Sequence, residues 1–336
     1  MYAVVRKRPL YYRLKAGQTH MIALQKEPKK GKTALREQRA AYLFLIPAFL
    51  GLSLITYLPL LAAFFISFTN LNTGHFVQGG TLPPVRFTGF HNYLDIFVNP
   101  SISFLNSIWV TVTYTLLAVA CSIIYSMIIA LLLNRRIPGR GLLRAIYYIP
   151  YILPATAVMI TWWFLLRYDG GVVNYLLTQL GLKKSYFFGK ASSVIPTLAM
   201  IAVWGCGNLI VIFLAGLQNV PRVYHEAAEI DGANAWQRLW NVTMPCMTPI
   251  IFFNLMMSVV ANLQIIVPAL AVTKGGPGNS TMFMTYLMYQ TGFKGRELGK
   301  ASAIAFVFFV VAAILAALLF STSKSWIFSE GGDEKE

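Results

Sequence analysis

Three polar side chains repeat on one face of an otherwise apolar stretch. Asn254, Ser258 and Asn262 stand at i, i+4 and i+8 of what reads as a helix, and Gln264 follows closely. In an earlier apolar stretch Trp204 and Asn208 share a helical face, with Gly205 and Gly207 between them. Carboxamides and hydroxyls pair with ligand hydroxyls, and an indole stacks on the apolar face of a sugar ring, so the set suits a carbohydrate. The same residue types also suit hydrogen bonding and close packing between membrane helices, and spacing alone leaves both readings open. Other chemistries lack their residues. There is no Walker A loop, no GxSxG and no zinc pattern. Cys121, Cys206 and Cys246 are odd in number, lie in or beside apolar segments and are not spaced as metal ligands, which argues against a disulfide framework. The interiors of the apolar stretches hold no Asp, Glu, Lys or Arg. That disfavours proton coupling and most ion channels, and it disfavours a membrane enzyme. No catalytic residue and no metal site are expected.

The elements that must hold these side chains are membrane helices. The chain is 57% hydrophobic and 12% charged, with a mean hydropathy of +0.59, whereas a soluble domain carries about 25% charged residues. The fold class is all-α, a polytopic membrane protein with six spans, at 41–69, 104–133, 145–166, 191–217, 249–273 and 301–321. The net charge of +16 does not point to nucleic acid, because 11 of the 28 basic residues precede Ala40 and so precede the first span. Residues 1–40 read as an uncleaved cytoplasmic basic tail suited to contact with anionic lipid, since no cleavage site follows the apolar run. Six spans put both termini on one side. Segments assigned inside hold 19 Lys and Arg against 9 outside, which makes both termini cytoplasmic. The outer segments still carry nine bases against Asp95, Asp169 and Glu297. Docking of an acidic partner, an anionic substrate and anchoring to lipid headgroups would each account for that excess.

Between the fourth and fifth spans lies one compact polar segment, 216–249, flanked by uncharged runs at 191–221 and 239–273. It reads as a loop at a membrane surface. Its chemistry is helical. Asn219 can cap, and Pro221 can sit in the first turn. Glu226 and Glu229 are expected in the early turns, favoured by the helix dipole. Val223, Ala227 and Ile230 fall on one face, and Gly232 is placed to end the helix. Residues 233–243 can form a second short helix before Pro245.

This segment resembles the EAA loop of binding-protein-dependent ABC importer permeases, of the maltose type. Glu226, Ala227, Ala228, Gly232, Val242, Met244 and Pro245 stand at that signature's spacings, with Val for Ile and Met for Leu as the departures. Ser67-Phe68-Thr69, the segment FTGFHNY at 87–93 and Thr273-Lys274-Gly275-Gly276-Pro277 resemble other family segments. The resemblance implies a type I importer permease fold in a bacterial or archaeal cytoplasmic membrane. It divides the chain into the tail 1–40, a permease domain 41–323 with coupling loop 218–246, and a cytoplasmic tail 324–336. Glu226, Ala227, Ala228, Asp231, Gly232 and Pro245 become the residues that couple to an ATPase. Trp204, Gly205, Asn208, Ser258 and Asn262 become the substrate contacts. The implied partners are a second permease subunit, an ATPase dimer, an extracytoplasmic solute-binding protein, lipid and a sugar. This chain would bind no cofactor itself, with ATP and Mg on the ATPase. Import of a uronic-acid oligosaccharide or a glycerol phosphate shares the pattern, and a stand-alone membrane enzyme or scaffold is the reading from a different class.

Overall fold

Among the described residues the regular elements are all helices. The computed structural model describes residues 32–76, 84–135 and 137–323. Of the tails expected at 1–40 and 324–336, residues 1–31 and 324–336 lie outside them, as do Gly79, Gly80 and Arg136, while residues 32–40 form the start of a helix. The chain divides into two compact units after Ala62.

The first unit contains α1 (Lys32–Leu52), a π-helical turn (Ser53–Tyr57) and the start of α2 (Leu58–Ile66). From Ala40 onward it carries no charged residue, and Tyr42, Phe44, Leu54 and Ile55 are all exposed. A helix of this kind is built for lipid or for another chain. Pro59 lacks an N–H, and its ring would strike the carbonyl four residues back; the wide π turn just before it takes up that misfit.

The second unit is built on α4 (Phe104–Asn134). Its 31 residues make a rod of about 46 Å. About half of its buried residues are small or hydroxylated, among them Ser107, Thr111, Ala118, Ser122, Ser126 and Ala130, and at these positions other helices can come close. Packed along it are α8 (Ala191–Trp204), α9 (Gly207–Asn219), α12 (Met244–Leu263) and α13 (Met284–Tyr289). Two hydroxyls fasten the contacts. Thr111 Oγ1 accepts from the Met284 amide at 2.9 Å, and Ser126 Oγ donates to Cys206 Sγ at 3.1 Å.

At the start of α4, α3 (His91–Val98) and α14 (Leu298–Ser323) pack together. The Asn92 carboxamide donates to the Ser67 and Thr69 carbonyls, both at 2.8 Å. A Cβ on Gly299 would lie 2.0 Å from the Thr69 carbonyl oxygen, so only glycine permits that approach. Lys300 Nζ sits between Asp95 Oδ2 at 2.7 Å and Glu297 Oε2 at 2.9 Å. The hydrogen bond from Lys300 holds the Asp95 carboxyl below its ordinary value.

Four helical stretches are long and apolar enough to cross a membrane: Arg39–Ile66, Pro100–Asn134, Ala235–Leu263 and Leu298–Ser323. Two more qualify only as bent pairs. These are α5 (Arg140–Ile152) with α6 (Ala155–Leu166), at 98°, and α8 with α9, at 51°. The third expected span, 145–166, is therefore a broken element that begins at Arg140. The break falls at Leu153 and Pro154, both with extended backbone, because a residue before proline is pushed out of the helical region. The second break, at Gly205 and Cys206, separates Trp204 from Asn208, so these two do not share one continuous helix face as the spacing suggested. The fifth expected span, 249–273, begins earlier and ends sooner. One helix runs from Ala235 to Leu263, and a separate π turn covers Ala269–Thr273. The stretch 281–300, expected to be an outer segment, supplies Met284, Tyr286 and Leu287 to the core.

Gly207 opens α9 at its closest approach to α5. A Cβ there would lie 2.3 Å from the Tyr147 carbonyl oxygen and 2.9 Å from Tyr148 Cα. Both are backbone atoms that cannot swing away. Gly207→Val is expected to destabilise the protein by about 1–3 kcal/mol through overpacking, read as a lower thermal midpoint in detergent. An unchanged midpoint would mean that the α5–α9 contact yields freely.

Candidate functional site

The polar segment between α9 and α12 is a fixed mount. Asn219 ends α9, Val220 and Pro221 are extended, and α10 (Arg222–Ile230) begins without a side-chain cap. Asn219 thus does not cap α10, because α9 absorbs it before the chain turns. The start at Arg222 also moves the acids: neither Glu226 nor Glu229 is in the first turn, and Glu229 lies in the last. Its carboxylate pairs instead with Arg238 of α11 (Ala235–Arg238).

The end of α10 follows the sequence closely. Gly232 takes φ +78°, a conformation that glycine adopts without Cβ strain. Its amide donates to the Glu229 carbonyl at 3.0 Å, and the Ala233 amide reaches the Ala228 carbonyl at 2.9 Å. These two bonds make a Schellman motif. Asn234 then caps α11 reciprocally with Gln237, at 2.9 and 2.8 Å. The expected short second helix does not stop before Pro245. A π turn (Leu239–Thr243) precedes that proline, and α12 continues through it. Segment and membrane helix are therefore one rod.

On this mount α10 presents its surface outward. Val223 is 68% and Ile230 86% exposed. Glu226, Ala227, Asp231 and Gly232 are exposed and Ala228 is half-buried. Glu226 has no ion-pair partner among the described residues. The apolar line Val223, Ala227, Ile230 is thus uncovered on an amphipathic helix, flanked by small alanines that allow close approach. Such a surface can dock against another protein.

At the other end of that rod lies a cavity of about 440 Å³. Its walls come from the three interrupted helices. Tyr151 and Leu153 stand at the α5–α6 break, Gly205 at the α8–α9 break, and Asn262 and Gln264 where α12 ends. Tyr114 of α4 closes one side, and no charged side chain is in the lining. Asn262 Nδ2 donates to the Ser258 carbonyl at 2.9 Å. Its Oδ1 has no donor among the described residues.

The five side chains proposed from sequence divide here. Gly205 and Asn262 line the cavity. Trp204, Asn208 and Ser258 do not line it in this conformation. Trp204 is 41% exposed and meets Trp162 edge-to-face at 5.6 Å, and Asn208 and Ser258 are half-buried nearby. Asn254, the first member of the stripe, is buried and donates to the Ile250 carbonyl at 2.8 Å, the behaviour of a packing residue. Sequence reasoning missed Tyr114 and Tyr151. Tyr151 had a signal, since it sits between Pro150 and Pro154, where a helix must open. Tyr114 had none, because one tyrosine in an apolar run has no visible direction. Among the described residues no cluster of His, Cys, Asp and Glu could hold a metal.

This arrangement has counterparts. A profile described as binding-protein-dependent transport system inner membrane component matches residues 122–328. The probable ABC transporter permease protein YesP of Bacillus subtilis is 33% identical over 91% of this chain and 97% of its own length. The trehalose/maltose transport system permease protein MalF of Thermococcus litoralis is 30% identical over 83% of this chain and 92% of its own. Among solved structures, a chain of a bacterial alginate ABC transporter, in complex with alginate pentasaccharide-bound periplasmic protein, superposes with a TM-score of 0.72. It covers 88% of this chain and 98% of that one at 20% identity, a likeness of fold.

Proposed function

The chain belongs to the family of binding-protein-dependent transport system inner membrane components, and from that premise we propose that it is the membrane-spanning subunit of an ATP-driven importer for a sugar or oligosaccharide. A second permease, two ATPase subunits and an extracytoplasmic binding protein would complete the complex, with ATP and Mg held by the ATPase. The observation that carries this reading is the uncovered α10, fixed at both ends and continuous through α11 and α12 with the cavity that holds Asn262. Closure of the ATPase dimer would push on α10, and the rod would convey the movement to the cavity walls. Alternating access then opens the cavity to one side and the other in turn.

The cavity supports a neutral saccharide. Its walls offer amides, tyrosines and apolar surface without fixed charge, the mixture that meets hydroxyls and ring faces. The trehalose/maltose name of the archaeal relative agrees with this. An acidic oligosaccharide would enter without a cation from this chain at mid-membrane. In this reading Trp204, Asn208 and Ser258 turn toward the cavity in another state of the cycle.

Counting each bent pair as one crossing gives six spans and puts both termini on the cytoplasmic side. Reporter fusions at Lys183 and Gly278 are expected to report outside, and fusions at Gly139 and Asn234 inside. A cytoplasmic signal at Lys183 would break the six-span arrangement.

Coupling is tested on α10 itself. Gly232→Leu forces a side chain into φ +78°, and Glu226→Lys reverses a charge that has no ion pair among the described residues. Each is expected to abolish uptake through lost assembly or lost coupling, with ATP hydrolysis no longer following substrate. Full substrate-stimulated transport in either purified complex would refute the docking role.

Substrate contact is tested at Asn262. Asn262→Ala is expected to lower sugar uptake about tenfold or more, the effect of losing one buried hydrogen bond to a hydroxyl, with expression and assembly retained. Loss of stable complex would assign Asn262 to helix packing instead. In the same assay at fixed ionic strength, neutral oligosaccharides are expected to compete and uronates are not. The reverse order would make the substrate anionic.

A further inference from the structure

A second cavity, of about 560 Å³, lies where α4 and α11 meet the polar segment. It shares no lining residue with the sugar cavity or with the exposed line Val223, Ala227 and Ile230, although His225 of α10 borders it. One wall is apolar and belongs to α4, where Ile128, Leu131 and Leu132 stand at i, i+3 and i+4. Arg135 continues that face at i+7, and His225, Trp236 and Arg238 complete the rim. No carboxylate lines it, and Glu229 of α10 is paired with Arg238. Trp236 is 67% exposed and meets Trp240, also exposed, edge-to-face at 5.9 Å.

We propose that this cavity is a binding site for one anionic phospholipid, its phosphate on Arg135 and Arg238 and an acyl chain along the apolar wall of α4. Three observations favour a lipid over other occupants. The site stands where two apolar helices give way to a polar turn, the level of headgroups, and tryptophan prefers that level. Its cationic rim and apolar wall match the two halves of one amphiphile. The wall also continues into an exposed stripe along α4, Leu116, Ile124, Ile128 and Leu132, so a chain leaving the cavity stays on apolar surface. The net positive rim selects an anionic headgroup over a zwitterionic one. The importer reading enters only in naming the leaflet, which is the cytoplasmic one.

The test uses the complete transporter, purified in detergent, titrated with phosphatidylglycerol or phosphatidylcholine and examined by native mass spectrometry. One phosphatidylglycerol is expected to stay bound per copy of this chain, in preference to phosphatidylcholine. Each guanidinium removed is expected to weaken it about fivefold, and so Arg135→Gln with Arg238→Gln about twenty-five-fold. Since Arg238 also holds Glu229, a second variant, Leu132→Glu, leaves both guanidiniums and spoils only the acyl wall. It is expected to lose the lipid too. Wild-type retention in both variants, equal binding of the two lipids, or cross-linking of Leu132→Cys to a partner subunit would overturn the site. Sugar uptake measured alongside separates the two readings: selective lipid retention without uptake supports the site and sinks the importer, and uptake without selective lipid does the reverse.

Discussion

A backbone amide or carbonyl exposed to hydrocarbon has no water to turn to, and the breaks in the described membrane helices are arranged around that constraint. Prolines create some of them. At two prolines the turn before widens to π geometry, Ser53–Tyr57 before Pro59 and Leu239–Thr243 before Pro245, whereas Pro47, Pro150, Pro196 and Pro249 lie inside α-helix. Where a helix must stop inside the apolar zone, the stop is grouped with others. The α5–α6 break, the α8–α9 break and the end of α12 all line the same cavity. Irregular backbone is thus confined to a place where a ligand or water can satisfy it. At Gly205 the amide still reaches the Ile201 and Ala202 carbonyls, both at 3.1 Å, and the Cys206 amide reaches the Val203 carbonyl at 3.3 Å.

The same constraint links the cavity to the surface segment. Because Pro245 is absorbed by the π turn, Ala235–Leu263 stays one helix of 29 residues, about 43 Å long. It has Asn234 and its capping box at one end and Asn262 at the other. A helix stop at Pro245 would have placed a hinge between α10 and the cavity, and in the importer reading a push on α10 would have been lost in it. The ion pair from Glu229 to Arg238 and the Schellman turn at Gly232 close the remaining hinge, between α10 and α11.

How much of this was readable beforehand follows from what each signal depends on. Local chemistry was readable: Gly232 ends α10 because positive φ favours glycine wherever it occurs, whereas 281–300 was placed outside only because it falls between two spans. Depth and direction were not. That stretch is core because Met284 meets Thr111, an interaction 173 residues apart in sequence. Asn254, Ser258 and Asn262 share a helix face, yet Asn254 is spent inside the protein and only Asn262 reaches the cavity, since the rod passes from packed surroundings to an opening along its length. Trp204 and Asn208 were paired by assuming that a glycine-containing span is straight. The bend between them is set by Gly207 seated on the Tyr147 carbonyl, a contact between helices that periodicity within one helix does not encode.

Charge placement completes the division of labour. The cavity has no ionic lining, and the ionic groups gather at the ends of the second unit. At one end Lys300, Asp95 and Glu297 tie α14 to α3, beside the Gly299 approach to Thr69. Lys300 and Asp95 are half-buried, and with the Asn92 carboxamide on the Ser67 and Thr69 carbonyls they give α3, α14 and the residues that follow α2 a common anchor. At the other end Glu229 and Arg238 do the same for α10 and α11. Between these two anchors the helices hold together through small side chains and a few hydroxyls rather than ion pairs. Contacts of that kind slide more cheaply than ionic ones, because no buried charge is left unpaired when they shift. In the importer reading, a cavity reopened on either side in turn calls for firm ends and a middle that can move, and the charges of this chain are distributed in that way.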